Sequence, residues 1–437
     1  MTYIWQVSGW RGRTDAACSR GPEPRAVRGA LLALVLAATA WAWGSPASAR
    51  TNEGITDTTI RIGGVMDLQG DSRGLGQGMK AGIDAALAGQ SVHNHRIVFD
   101  AENDNYTPEK TVEATRRLID QGVFAMLGNV GTPTAKVSLP ILAKAGVPAV
   151  GFFTGAGLLR PGVGDVLNFR ASYVQETARV INSALSAGMH PQEVCAYVQN
   201  DSYGMAGVEG IKEALSGHPG TADVVALLDR VIHMQGDDPA RNNLGPVGVY
   251  ERNTLSSREG YLSLKNWERS AGTRCRLVVS VGTYAAVARF VAYSRYKGDD
   301  WLVSAVSFTG ADNFRNTLHE FNVRDDRVLM TQVVPPLDSS LPIVTEARAA
   351  LGDRFGYVSL EGYIVGRMLL HILNGIKGDI TRESFLAAAR GAVFDLGGLH
   401  IDFSHGNQGS DFVLLTRLDG NRYRVMTDAD WSRLLAQ

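Results

Sequence analysis

The sequence has few cysteines, almost no net charge and none of the common catalytic signatures. Three cysteines occur in 437 residues, at positions 18, 195 and 275. So few exclude a scaffold built on disulfides, and no Cys/His cluster has zinc-ligand spacing. The 43 basic residues nearly cancel the 44 acidic ones, for a formal net charge of −1. That balance leaves no basic face of the kind a nucleic-acid partner requires. Neither Gly-x-Ser-x-Gly nor His-Glu-x-x-His occurs, and there is no Walker-type Gly-Lys-Ser/Thr. The stretch Gly74-Leu-Gly-Gln-Gly78 breaks the dinucleotide fingerprint because Met79 holds its sixth position, so it reads as a flexible cleft loop. The nine histidines are scattered, and His93 and His95 read as solvated turn residues. An enzyme is therefore not expected, and neither is a cofactor or a metal.

The N-terminus does carry a signal. Residues 29–43 form an uncharged apolar run preceded by Arg25 and Arg28 and followed by Pro46-Ala47-Ser48-Ala49. A charged start, a short apolar core and a small-residue exit describe a secretory signal peptide cleaved near Ala49. The run is shorter than the ~20 residues of a spanning helix, which counts against an uncleaved anchor. Cys18 precedes the run, so a lipoprotein is not expected. What remains is too long for one core and suits two domains. Of the cysteines only Cys195 and Cys275 then survive. In an oxidising compartment they pair, or else they are two buried thiols near strand starts.

Strand-like and helix-like segments alternate from residue 59 onward. The run Thr59–Met66 reads as a strand, residues 76–87 as a helix and 96–100 as a strand. A helix opens at Pro108, where the missing N–H costs nothing, and residues 123–128 form the third strand. A helix over 133–145 ends at Gly146, a natural C-terminal cap, and 147–150 form the fourth strand. The pattern then restarts, with helices at 175–187, 207–215 and 284–296 and strands at 193–199, 247–250, 276–281, 301–308 and 328–334. Alternation of this kind implies parallel sheets covered by helices. The Gly/Pro-rich segment 217–246 reads as a surface insertion. The tail, with helices at 360–373 and 381–390 and short strands over 395–422, reads as returning to one lobe and then the other. Two lobes with a cleft between them would bind a ligand at the carboxyl ends of the strands.

Polar loops follow each strand. In Gly128-Asn-Val-Gly-Thr-Pro-Thr134, glycines let a ligand approach the backbone, Thr132 offers a hydroxyl and the helix start faces an anion. The alternative is an ordinary cap, with Thr132 or Thr134 serving its own helix. Tyr203 and Tyr284 each follow a second-lobe strand, where a ring covers a ligand or simply packs.

The pieces Ile60-Arg-Ile-Gly-Gly64, Asn103-Asp-Asn-Tyr-Thr-Pro108, Val123–Thr132, Val147–Gly151, Asn168-Phe-Arg-Ala-Ser-Tyr173, Gln199–Gly204 and Gln332–Pro335, in this order, resemble the type I periplasmic-binding family that includes the leucine/isoleucine/valine-binding proteins. The resemblance spans residues 54–419. It implies two doubly wound α/β lobes of Rossmann type joined by a multi-strand hinge. Lobe 1 would be 50–171 plus 335–391, and lobe 2 would be 172–334 plus 392–437. It implies a periplasmic monomer that captures a small polar ligand, an amino acid of the branched-chain type or a relative, and delivers it to an ABC permease. A ligand sensor for an amide or aromatic acid is the alternative. Carried over residue by residue, the resemblance places Gly131 and Thr132 on the ligand carboxylate. It places Phe153, Thr154 and Gly155 on the ammonium, with Asp312 as the second-lobe acid, and Tyr203 and Tyr284 as covering rings. Gln69 stands in the first loop where a serine is common. Phe153 and Gly155 also depart from the hydroxyl residues usual beside Thr154.

Overall fold

The computed structural model describes residues 54–236, 239–324 and 327–436. The expected signal peptide lies outside the described residues. Two mainly parallel sheets carry the chain. The first is built from β1 (Thr59–Met66), β2 (Ser91–Val92), β3 (His95–Asn103), β4 (Ala125–Leu127), β5 (Ala149–Val150) and β6 (Val166–Leu167), in the order β2-β3-β1-β4-β5-β6. Only β2 runs antiparallel, as a hairpin with β3. The helices α1 (Arg73–Leu87), α2 (Pro108–Asp120) and α3 (Thr132–Ala145) connect these strands. Six of the eight residues of β1 are buried, as a central parallel strand covered on both faces requires.

The second sheet begins with β7 (Val194–Gln199), β8 (Val247–Tyr250), β9 (Leu277–Val281), β10 (Leu302–Ala305) and β11 (Val328–Gln332), all parallel. Helices α4 (Tyr173–Ser186), α5 (Ser202–Leu215), α6 (Ala222–Ile232), α7 (Arg258–Ala271), α8 (Tyr284–Tyr296) and α9 (Ala311–Glu320) accompany it. The chain then leaves through Pro335-Pro336 and adds α10 (Pro342–Leu351), α11 (Tyr357–Asn374) and α12 (Arg382–Ala389), of which α10 and α11 pack on α1. A hairpin of β12 (Val393–Asp395) and β13 (His400–Asp402) follows. Then β14 (Leu414–Asp419) and β15 (Arg422–Val425) extend the second sheet antiparallel beyond β11, and α13 (Asp428–Leu435) closes the chain. The seven-stranded order is β15-β14-β11-β10-β9-β7-β8.

Several expectations change. The glycine-rich stretch 74–78 is not a flexible loop but the opening of α1. Its glycines serve close packing: a Cβ on Gly76 would fall 1.9 Å from the Asp67 carbonyl oxygen, and one on Gly74 would strike Asn313. Further along, a Cβ on Gly82 would lie 2.1 Å from the Ser359 carbonyl oxygen, so α1 and α11 touch backbone to backbone there. The 217–246 segment is not all loop, since α6 lies within it and packs on α5. Helix α5 begins at Ser202, earlier than expected, because the Asp201 carboxylate caps it by accepting the Tyr203 N–H at 2.9 Å. Strand β10 stops at Ala305, and residues 307–309 form a 3₁₀ turn. The hairpin β12–β13 packs on α11 and α10: Phe394 stacks on His371 of α11 at 4.0 Å, and the Gly397 carbonyl accepts from Ile343 N–H of α10. Cys195, in β7, and Cys275, just before β9, form a disulfide with Cα atoms 5.7 Å apart.

Candidate functional site

The two sheets meet along the carboxyl ends of their parallel strands. On the first sheet the loops after β4 and β5 are stitched together: Phe153 N–H donates to Asn129 O at 2.8 Å and Gly131 N–H to Phe153 O at 3.2 Å. Gly131 has φ of 111°, and a side chain there would strike the Tyr106 ring, so glycine is required. This places Thr132, the first residue of α3, beside Thr154, and their hydroxyls are 2.7 Å apart and fully buried. Neither Thr132 nor Thr134 caps α3; Thr134 donates instead to Val130 O. Thr154 Oγ1 also accepts from Ala156 N–H, and the Gly155 carbonyl accepts from Tyr173 N–H.

The second sheet brings Tyr203 at the start of α5 and Phe308 in the turn after β10. Tyr203 Oη donates to the Gly282 carbonyl at 3.3 Å. Ring centroids then form a continuous group: Phe153–Phe308 at 5.1 Å, Phe308–Tyr203 at 4.7 Å and Tyr203–Tyr173 at 5.3 Å. All four rings are buried. Burial lifts the Tyr173 phenol to about 12 and the Tyr203 phenol well above its ordinary range. Further bonds cross between the sheets. Gln199 Nε2 donates to Tyr106 Oη at 3.2 Å, and Tyr284 Oη donates to the Asp71 carbonyl at 2.8 Å. The two sides are closed on each other: the space bounded by Phe153, Ser307, Gln332 and Glu361 has no room for a water molecule. A cavity of about 940 Å³ runs along the connecting segments beside Pro335, His400 and Gln408 and includes none of the candidate residues.

Of the residues singled out from the sequence, Gly131, Thr132, Phe153, Thr154, Gly155 and Tyr203 therefore converge, and Tyr284 bridges the rim. Gln69 and Asp312 stand apart. Gln69 is exposed and accepts from Asn103 at 3.4 Å. The Asp312 carboxylate accepts the Tyr357 N–H at 2.9 Å, at the start of α11, and pairs with Arg315 at 3.2 Å.

Sequence reasoning missed a buried charge cluster at the same place. Arg170, on the segment between β6 and α4, is fully buried; it pairs with Glu176 of α4 at 3.3 Å and with Glu361 of α11 at 3.5 Å. Its guanidinium lies 4.8 Å from the Phe153 ring and also donates to Ser307 Oγ. Glu176 accepts from Ser307 N–H at 2.7 Å and Thr331 Oγ1 at 2.6 Å. Burial works against the Arg170 charge, but Glu361 and Glu176 outweigh it and its pKa is raised. A visible signal was the lone acid at 361 within the apolar run of α11.

Glu361 is pushed from its ordinary 4.5 up to about 7 by burial, against the pull of Arg170. The folded state thus holds this proton more tightly than the unfolded chain does. The stabilising contribution is complete below about pH 4.5 and lost as pH rises through about 7. Glu361→Gln should remove that loss, gaining on the parent protein by ~1–3 kcal/mol between pH 5 and pH 8. Melting curves of both proteins at the two pH values check this; a difference that does not change with pH would refute it.

A model of the periplasmic binding protein family matches residues 59–229. Over a longer span, the chain is similar to the crystal structure of a possible leucine/isoleucine/valine-binding protein from Rhodopirellula baltica SH 1. The identity is 32%, the TM-score 0.75, and the match covers 89% of this chain and 100% of that one. This chain belongs to the periplasmic binding protein family. Two further structures share the fold. A leucine binding protein from Thermotoga maritima MSB8 is 15% identical with a TM-score of 0.66, over 84% of this chain and 98% of that one. A solute binding protein from R. palustris, in complex with 4-hydroxybenzoate, is 16% identical with a TM-score of 0.65, over 87% of this chain and 100% of that one. No curated protein matches the chain significantly. Periplasmic binding proteins bind small ligands and typically work with ABC transporters, and the family implies a periplasmic location. It is a family of solute-binding proteins and not of enzymes.

Proposed function

We propose that this periplasmic binding protein captures a small polar solute between its two sheets by hinge closure and delivers it to an ABC permease. The observation that carries the reading is the buried Thr132–Thr154 hydroxyl pair, which sits at a helix start where the strand ends of both sheets meet. A buried hydroxyl pair with aromatic walls suits the polar end and the apolar body of one small molecule. Gly131, Thr132, Phe153, Thr154, Gly155 and Tyr203 form the proposed contact set, with Tyr284 latching the rim. An amino acid of the branched-chain type is the leading candidate, on the likeness to the R. baltica protein. A second reading, an aromatic acid, is favoured by the Phe153, Phe308, Tyr203 and Tyr173 rings and by the engagement of Asp312 with α11.

A thermal-shift panel of amino acids, short amides and aromatic acids tests the proposal, since a ligand of the native state must raise the melting temperature. Thr154→Val keeps the shape and deletes one hydroxyl, and is expected to weaken the bound solute about tenfold, equivalent to ~1.4 kcal/mol. Unchanged affinity would move the site away from this pair.

A further inference from the structure

Arg170 carries more donors than its surroundings use. Its Nη2 serves Glu176 and Ser307. Among the described residues, Nε and Nη1 have no hydrogen-bond acceptor; Nη1 has only the 3.5 Å ion pair with Glu361. The side-chain amide Nε2 of Gln332, a residue 1% exposed, is likewise unbonded. Gln332, Ser307, Glu361 and Phe153 line one closed space, and Arg170 touches the last three. Gln332, with its unpaired donor, thus lines this space, and Arg170, with two more, contacts three of its other walls. Leaving these donors unpaired under full burial is costly, and oxygen acceptors on a ligand would relieve that cost with charge assistance.

We infer that Arg170, with Gln332 beside it, is the anion-recognising group of the cleft, and that its solute is a small carboxylic acid with a flat apolar body. The flatness follows from the walls: the guanidinium lies over Phe153, and Phe308 and Tyr203 continue that surface. Glu361 is the partner a ligand carboxylate displaces. Burial holds its carboxyl at about 7 and no hydrogen bond ties it to Arg170, whereas Glu176 is fixed by Ser307 and Thr331. The inference rests on the capture reading above and selects its second solute class, the aromatic acid, over the branched-chain amino acid.

The test is calorimetric titration of the purified protein with matched pairs: benzoate against benzamide, cinnamate against cinnamamide, and leucine against leucinamide. At least one flat acid is expected to bind, with its amide at least tenfold weaker. An amide as tight as its acid, or leucine binding where both flat acids fail, overturns the inference and leaves solute capture standing. Failure of every acid and every neutral compound, here and in the thermal-shift panel, overturns both. Arg170→Lys is expected to weaken the acid at least tenfold while leaving the amide unchanged; equal losses for both would make Arg170 a purely structural residue. If that variant does not fold, the matched pairs on the parent protein decide the matter.

Discussion

Glu176→Ala is expected to destabilise the protein by about 3–5 kcal/mol, the usual cost of removing one partner from a buried ion pair. The carboxylate is fully buried and accepts from Ser307 N–H at 2.7 Å, Ser307 Oγ at 3.0 Å and Thr331 Oγ1 at 2.6 Å, besides pairing with Arg170. Alanine would deprive those donors of the carboxylate and leave Arg170 with a single ion-pair partner, Glu361 at 3.5 Å. Each consequence is unfavourable in a low-dielectric interior. Urea unfolding should show a lower midpoint at unchanged slope. A shift worth less than about 1 kcal/mol would mean the cluster relaxes around the loss, and the strong coupling assigned to it would be wrong.

Cys195→Ala/Cys275→Ala should cost roughly 2–4 kcal/mol. The bridge closes a loop of 80 residues, and the chain-entropy model puts the unfolded-state constraint for that length near ~4.5 kcal/mol, an upper bound. It joins β7 to the segment entering β9, and those strands already pair in parallel, with Cys195 opposite Val278. The bond therefore adds little to the native arrangement and acts mainly by limiting the unfolded chain. Comparing denaturation of the oxidised protein with the double variant measures the effect. Thiol titration of the unfolded, unreduced protein should find neither cysteine free, and two reactive thiols would remove the basis of the prediction.

The regular parts of the fold were legible because local rules and tertiary demands agree there. Helix α8 runs Tyr284–Tyr296, the span expected from the sequence, and α3 ends at Gly146, whose φ of 61° is the left-handed cap a glycine supplies. Where they disagreed, the tertiary structure won. Residues 74–78 look like a loop because they are glycine-rich, yet they are helical, and the glycines are there because Asp67, Asn313 and Val358 approach too closely for side chains. Helix α7 is hard to read from sequence because Arg258, Glu259, Lys265 and Glu268 make it polar, although Tyr261 and Leu264 bury one side of it.

The same division runs through the site. Sequence by itself determined the alternation of strands and helices, the loops at strand ends and the likeness that pointed to Thr132, Phe153, Thr154 and Tyr203. Those are local matters of periodicity, turn residues and motif order. Tertiary structure alone decided that Asp312 serves the start of α11, that Gln69 faces solvent, and that Arg170, Glu176 and Glu361 meet. The last three come from a connecting segment, α4 and α11, and Glu361 lies far along the chain from the other two. A buried charge is tolerated only where opposite charges and donors converge on it, and that convergence comes from the packing of α4 and α11 around the strand ends, which no local stretch of sequence encodes.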